Sequence, residues 1–256
     1  MASESVAERV LRRDRLVVLA CLLAVITLAW SYIVAGAGMD MSRMSATSGL
    51  MSQKWTPLYF LLMFFMWFVM MIAMMLPSAS PMILLFSAIN RKNGERGNSV
   101  VSTGVFVTGY IAVWGGFSLI ATVFQWWLEE ITLLTPMMTS ASPLFGSALL
   151  VTAGIYQLTP LKYACLRHCR SPIDYLGHRW RNGTVGALIM GLEHGLFCLG
   201  CCWVLMVLSF YGGVMSLEWI IGLALFVLLE KVLPAGHRMG RLSGVVLIIW
   251  GITIVL

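Results

Sequence analysis

The chain has 256 residues, of which 59% are hydrophobic and only 11% charged, and its formal net charge is +6. A water-soluble domain carries roughly a quarter of its residues as charged groups, so this composition excludes one and points to an all-α, polytopic transmembrane helix bundle. In such a protein an excess of Lys and Arg marks cytoplasmic loops and gives no reason to invoke nucleic acid.

Seven apolar runs read as spans of a single transmembrane domain, residues 16–256, behind a cytoplasmic N-terminal segment, residues 1–15. That segment is charged and polar, with Arg9, Arg12, Arg13 and Arg15. No cleavable signal peptide is expected, because the run that follows, Leu16 to Val34, is long enough to cross a membrane. After it comes "MDMSRM", which places Met39, Asp40, Met41 and Met44 in an extracytoplasmic loop. The second run starts near Pro57. Pro77 and Pro81 are expected to break or kink it, with an apolar tail reaching Ile89. At 3.6 residues per turn Met63, Met66, Met70 and Met74 form one stripe of this run, and Met71 and Met75 flank it. Methionine is adaptable apolar packing in most interiors. Here the density is high and further methionines lie outside the span, where packing does not account for them. A thioether is also a soft ligand that selects Cu(I) over hard cations.

The third run covers about Val100 to Phe124 and the fourth Leu144 to about Thr159. Next is "LKYACLRHCRSP", in which Cys165 and Cys169 are four apart with His168 between them. If the fourth run continues as a helix, both thiols share one face at the basic cytoplasmic mouth. The spacing is not one of the standard zinc-finger patterns.

The fifth run, Thr184 to Tyr211, contains "GLEHGLFCLGCCW", with Glu193, His194, Cys198, Cys201 and Cys202 inside ten positions. His194, Cys198 and Cys201 fall within a narrow helical stripe, with Met190 beside them and Cys202 flanking. One buried cysteine is usually a small hydrophobe. Three thiols with a histidine one turn away, at membrane depth, are instead candidate ligands for Cu(I), with zinc or iron as alternatives. His194 and Cys201 lie about 10 Å apart along the axis, so another helix must complete any single site. The sixth run covers Leu217 to Leu233 and the seventh Leu242 to Leu256. The sixth ends in "LLEKVLPAGH", where Glu230 and Lys231 read as an interfacial pair or, alternatively, Glu230 faces the bundle.

Basic loops, carrying Arg91, Lys92 and Arg96, then Lys162, Arg167, Arg170, Arg179 and Arg181, then Lys231, Arg238 and Arg241, alternate with basic-poor ones, so the N-terminus is expected in the cytoplasm and the C-terminus outside. The sixth and seventh runs are short, and a six-span or re-entrant arrangement is the alternative.

The stretches "WFVMMIAMMLPSASPMILLF", "YQLTPLKYACLRHCRSP", "GLEHGLFCLGCCWVLM" and "LEKVLPAG" resemble bacterial integral membrane proteins grouped as domain of unknown function 2182, described as predicted metal-binding membrane proteins. The resemblance covers nearly all of the chain from Leu16 onward. It implies a metal-binding protein of the bacterial inner membrane and puts weight on Met70, Met71, Met74, Met75, Cys165, Cys169, His194, Cys198, Cys201 and Cys202. The leading expectation is a protein that binds Cu(I) and moves or delivers it, with a membrane or periplasmic metallochaperone or a client enzyme as partner. The outer methionines would collect the ion, the stripe would pass it to the thiols and His194, and Cys165 and Cys169 would form a cytoplasmic exit. The alternatives are a membrane-embedded metal- or thiol-dependent oxidoreductase and a copper-delivery subunit.

Overall fold

The structure, a computed structural model, describes residues 6–37, 55–95, 101–135 and 138–256. Among them every extended element is helical, and the one β pairing is an isolated bridge between Leu134 and Ser140. In chain order the helices are α1 (Val6–Ala37), α2 (Pro57–Glu95), α3 (Thr103–Glu130), α4 (Pro143–Leu158), α5 (Pro160–Arg170), α6 (Pro172–Arg179), α7 (Gly183–Val207), α8 (Ser209–Gly212), α9 (Leu217–Val232) and α10 (Gly236–Thr253). The expected loop with Met39, Asp40, Met41 and Met44 lies outside the described residues.

Among the described residues, four helical stretches are long and apolar enough to cross a membrane: Leu16–Ala35, Pro57–Asn93, Thr103–Glu130 and Gly183–Gly212. A fifth candidate is the pair α4 and α5, which bends by 65° at its break. The sixth and seventh expected spans do not meet the same measure. The 16 residues of α9 rise about 24 Å as a helix, short of a hydrocarbon core of about 30 Å. The 18 residues of α10 begin with His237, Arg238 and Arg241. Large apolar side chains such as Leu28, Ile120, Leu196 and Val246 stay exposed on outer faces. A bundle that is apolar outside as well as inside is suited to lipid.

The helix α2 runs through both prolines without ending. Pro77 has no N–H to give the carbonyl of Ala73 four residues back. That carbonyl accepts instead from Trp30 Nε1 of α1 at 3.1 Å. A neighbouring helix thus repairs the proline defect, which is how such residues are tolerated away from water. The pairing also ties α1 to α2.

The helices α3 and α7 meet along glycines. A Cβ at Gly109 would stand 2.5 Å from the carbonyl oxygen of Leu188, and one at Gly191 would collide with that of Phe106. Small residues at these positions let the two backbones touch, a common way to pack helices in membranes. This contact brings Tyr110 of α3 against the inner face of α7.

The bend between α4 and α5 has a local cause. Thr159 precedes Pro160 and is held extended at φ −74°, ψ 146°, the conformation that a following proline favours. Its side chain then caps α5 by accepting from the backbone N–H of Lys162, and Pro160 occupies the first turn, where its missing N–H costs nothing. The turn lays α5 across α7.

Candidate metal centre

The inner face of α7 buries Met190, His194, Cys198, Cys201 and Cys202 together. Cys198 is the hub. Its Sγ lies 3.1 Å from Tyr110 Oη of α3 and 3.0 Å from Lys231 Nζ of α9. The Lys231 ammonium also donates to Ser78 Oγ of α2 at 2.9 Å. The thiols of Cys201 and Cys202 each donate to the carbonyl of Cys198 at 3.0 Å. Cys202 Sγ also stands 3.8 Å from Met75 Sδ.

The bend before α5 adds two more thiols. Cys169 faces Cys198 and Cys201. Cys165 neighbours Cys201 and packs on Gly200, where a Cβ would come within 2.7 Å of its sulfur. Cys165 and Cys169 were expected as a separate cytoplasmic site; the structure folds them onto the α7 cluster. All five of these cysteines are free thiols.

His194 is stacked with Tyr110 at 5.6 Å and Phe106 at 6.2 Å between ring centroids. Its Nδ1 is buried without a hydrogen-bond partner. A buried polar atom left in this state costs free energy, so the ring is a standing candidate for a ligand. Among the described residues no three His, Cys, Asp or Glu side chains are already placed to hold a metal ion. The thiols are engaged with a carbonyl, an ammonium and each other, and loading a metal requires them to turn from those partners.

The methionine stripe leads to this cluster. Met66, Met70, Met71, Met74 and Met75 are all buried on the inner side of α2. Toward the opposite end, Gln125 Nε2 donates to Met63 Sδ at 3.7 Å and to Glu129 Oε1 at 2.9 Å. Trp67 Nε1 donates to Gln125 Oε1 at 2.8 Å, and Trp55 Nε1 to Glu129 Oε2 at 2.9 Å. The stripe is therefore framed by a polar chain at one end and by thiols at the other.

The family model described as PpoB2, copper chaperone, matches residues 64–254. The chain belongs to this copper-chaperone family. Neither a curated protein nor a solved structure matches it. The four sequence motifs, the five clustered thiols and the whole methionine stripe from Met66 all lie inside the matched span.

Not every expected residue of this copper-chaperone chain joins the cluster. Glu193 turns to the α6 side, where Arg181 and Arg179 pair with it at 2.9 and 3.4 Å. The Tyr175 hydroxyl donates to the Met190 carbonyl at 3.1 Å and to Glu193 at 3.4 Å. Burial first, and the Glu193 charge second, push the Tyr175 phenol well above its ordinary range, so it stays a donor. His168 stacks on Phe197 at 4.2 Å, and its Nδ1 lies 2.8 Å from the carbonyl of Ala164. Glu230 is buried, but against Lys162, whose ammonium it shares with Gln157. Gly240 makes room for that carboxylate, since a Cβ there would collide with it.

Sequence reasoning missed Tyr110 and Ser78 and treated Lys162 and Lys231 as loop charges. Both lysines are buried. Two of the expected cytoplasmic charges are thus interior, which leaves Arg9, Arg12, Arg13 and Arg15, Arg91, Lys92 and Arg96, and Arg167, Arg170, Arg179, Arg181, Arg238 and Arg241 as the basic residues of that side.

Proposed function

We propose that this protein is an integral membrane Cu(I) chaperone that takes the ion at the methionine end of α2 and hands it to the thiols between α5 and α7. The observation that carries this reading is the meeting of Cys202 Sγ and Met75 Sδ at 3.8 Å. It makes the soft donors one continuous series: Met66, Met70, Met71, Met74 and Met75, then Cys202, Cys198, Cys201 and Cys169, with His194 beside them. Cu(I) passes along such a series by exchanging one sulfur for the next, so no bare ion enters the apolar interior. Thiols bind it more tightly than thioethers, which sets an inward gradient of affinity.

Placement in the bacterial inner membrane with the N-terminus and the α5–α6 side in the cytoplasm belongs to this proposal. The remaining basic residues near α5, α6 and α10 support it through the positive-inside rule. Membership of domain of unknown function 2182 belongs to it as well, because the four motifs that carry that resemblance lie within the copper-chaperone match. The ion is delivered to a partner protein, a metallochaperone or a copper enzyme.

The test is Met66→Leu, Met70→Leu and Met74→Leu together. Leucine keeps the volume, and such swaps usually cost under about 1.5 kcal/mol each. In sealed vesicles the triple variant should stay folded, bind Cu(I) when the thiols are loaded directly after solubilisation, and fail to acquire it from the methionine side. Acquisition equal to wild type would return the stripe to packing alone.

A further inference from the structure

Three ionisable side chains are buried close together where α5, α7 and α9 meet. Two of them satisfy each other: the Glu230 carboxylate takes the Lys162 ammonium, and the two side chains are 2% and 0% exposed. The third, Lys231, is 8% exposed, and its ammonium bonds to Ser78 Oγ and Cys198 Sγ. Among the described residues no carboxylate forms an ion pair with it. Glu230 is its chain neighbour but is already matched one for one by Lys162. Among the described buried side chains, a counter-charge for Lys231 can then come only from the sulfurs around it. A charge in an apolar interior is costly unless an opposite charge is supplied. The groups around this ammonium are the sulfurs of Cys198, Cys201 and Cys202 and the phenol of Tyr110.

The charge of a Cu(I) complex depends on its ligands. Two thioethers leave it at plus one, one thiolate makes it neutral, and two thiolates make it minus one. Only the last cancels Lys231. We propose that Cu(I) is held here as an anionic two-thiolate complex of Cys198 and Cys169, with Lys231 as its built-in counter-ion. This rests on the copper reading above and assigns the ligand set and charge of that same site. Cys198 is chosen because Lys231 touches it. Cys169 is chosen because it comes from the facing helix α5, so two sulfurs can take opposite sides of the ion, whereas Cys201 and Cys202 share the Cys198 helix and bond to its carbonyl.

Counted from thiols, the step is Cu⁺ plus two RSH giving [RS–Cu–SR]⁻ and two protons. Two S–H bonds break, two S–Cu bonds form, copper stays Cu(I), and the protons leave to buffer. Lys231 keeps its protons throughout and acts as a positioning residue, held toward the sulfur by Ser78. It also gives the relay a direction. On the thioethers the ion is cationic and gains nothing from an ammonium, and on the thiolates the complex is anionic and is stabilised by it.

The experiment is an anaerobic competition titration in detergent with Cu(I) and, as a redox-inert soft probe, Ag(I). Wild type, Lys231→Met, Lys231→Arg, Cys169→Met and the double variant Cys169→Met/Lys231→Met are compared. Lys231→Met and Cys169→Met should each weaken binding by about tenfold or more, because each leaves one buried charge unbalanced. Lys231→Arg should stay within about threefold of wild type. The double variant removes one charge of each sign, so it should bind about as well as either single variant rather than about a hundredfold worse than wild type. Independent, multiplying losses overturn the proposal, as does Lys231→Met binding as tightly as wild type. If Lys231→Met does not fold, the X-ray absorption spectrum of copper-loaded wild type decides: two sulfur ligands and no nitrogen support the proposal, and a His194 or three-sulfur site overturns it. Wild type that binds neither ion sinks the copper reading itself, whereas binding that ignores Lys231 sinks only the counter-ion.

Discussion

The buried pair of Lys162 and Glu230 offers the sharpest test of the packing. Lys162 comes from the first turn of α5 and Glu230 from the last turn of α9, so the pair fastens the bent α4–α5 segment to the helix that supplies Lys231. Changing Lys162 to Met keeps the aliphatic stem and removes the ammonium. Glu230 then loses the donor it shares with Gln157 and remains a buried carboxylate. Breaking a buried pair from one side typically costs about 3–5 kcal/mol, because the surviving charge is uncompensated. The double change Lys162→Met with Glu230→Gln removes both charges and should recover most of that loss. Equilibrium unfolding in mild detergent, with all variants purified alike, measures both. A loss below about 1 kcal/mol for Lys162→Met would place the pair among exposed ones and refute the burial on which the charge count around Lys231 depends.

Two further outcomes follow from the helix contacts. Gly191→Leu should prevent assembly of α3 on α7, because even a Cβ there collides with the Phe106 backbone, whereas Gly222→Ala, with open space around it, should be tolerated or gain about 0.5–1 kcal/mol from helix propensity; folded yield and thermal unfolding distinguish them, and equal behaviour would contradict the crossing. Trp30→Phe should cost about 1–3 kcal/mol by leaving the Ala73 carbonyl without a donor, and unchanged stability would mean that this bond does not bridge the Pro77 gap.

Helical periodicity made the inner face of α7 legible, because an apolar helix leaves chemistry-bearing residues few places to hide. His194, Cys198, Cys201, Cys202 and Met190 share the buried face their spacing predicts. The methionine stripe was legible for the same reason, although not that its last member meets Cys202, since contact between helices leaves no mark in a single chain's period. Cys165 and Cys169 were placed on one helix, but as a site separate from the cluster. The 65° turn at Thr159–Pro160 moves them there, and a proline signals a turn without stating its direction. Lys162 and Lys231 were misread because a lysine at the end of an apolar helix ordinarily extends its head to the interface. Both instead point inward, to Glu230 and to Cys198. Tyr110 gave no signal, as an apolar helix carries aromatic residues whether or not one of them meets a sulfur.

The measurement that bears most directly on this account is the metal content of protein purified anaerobically and loaded with Cu(I), for wild type and for Cys198→Ser/Cys201→Ser/Cys202→Ser. Serine is nearly isosteric with cysteine but is not a soft ligand. The account predicts that wild type retains tightly bound Cu(I) and that the folded triple variant loses it. Full copper stoichiometry in the triple variant, or zinc in place of copper in wild type, would contradict it.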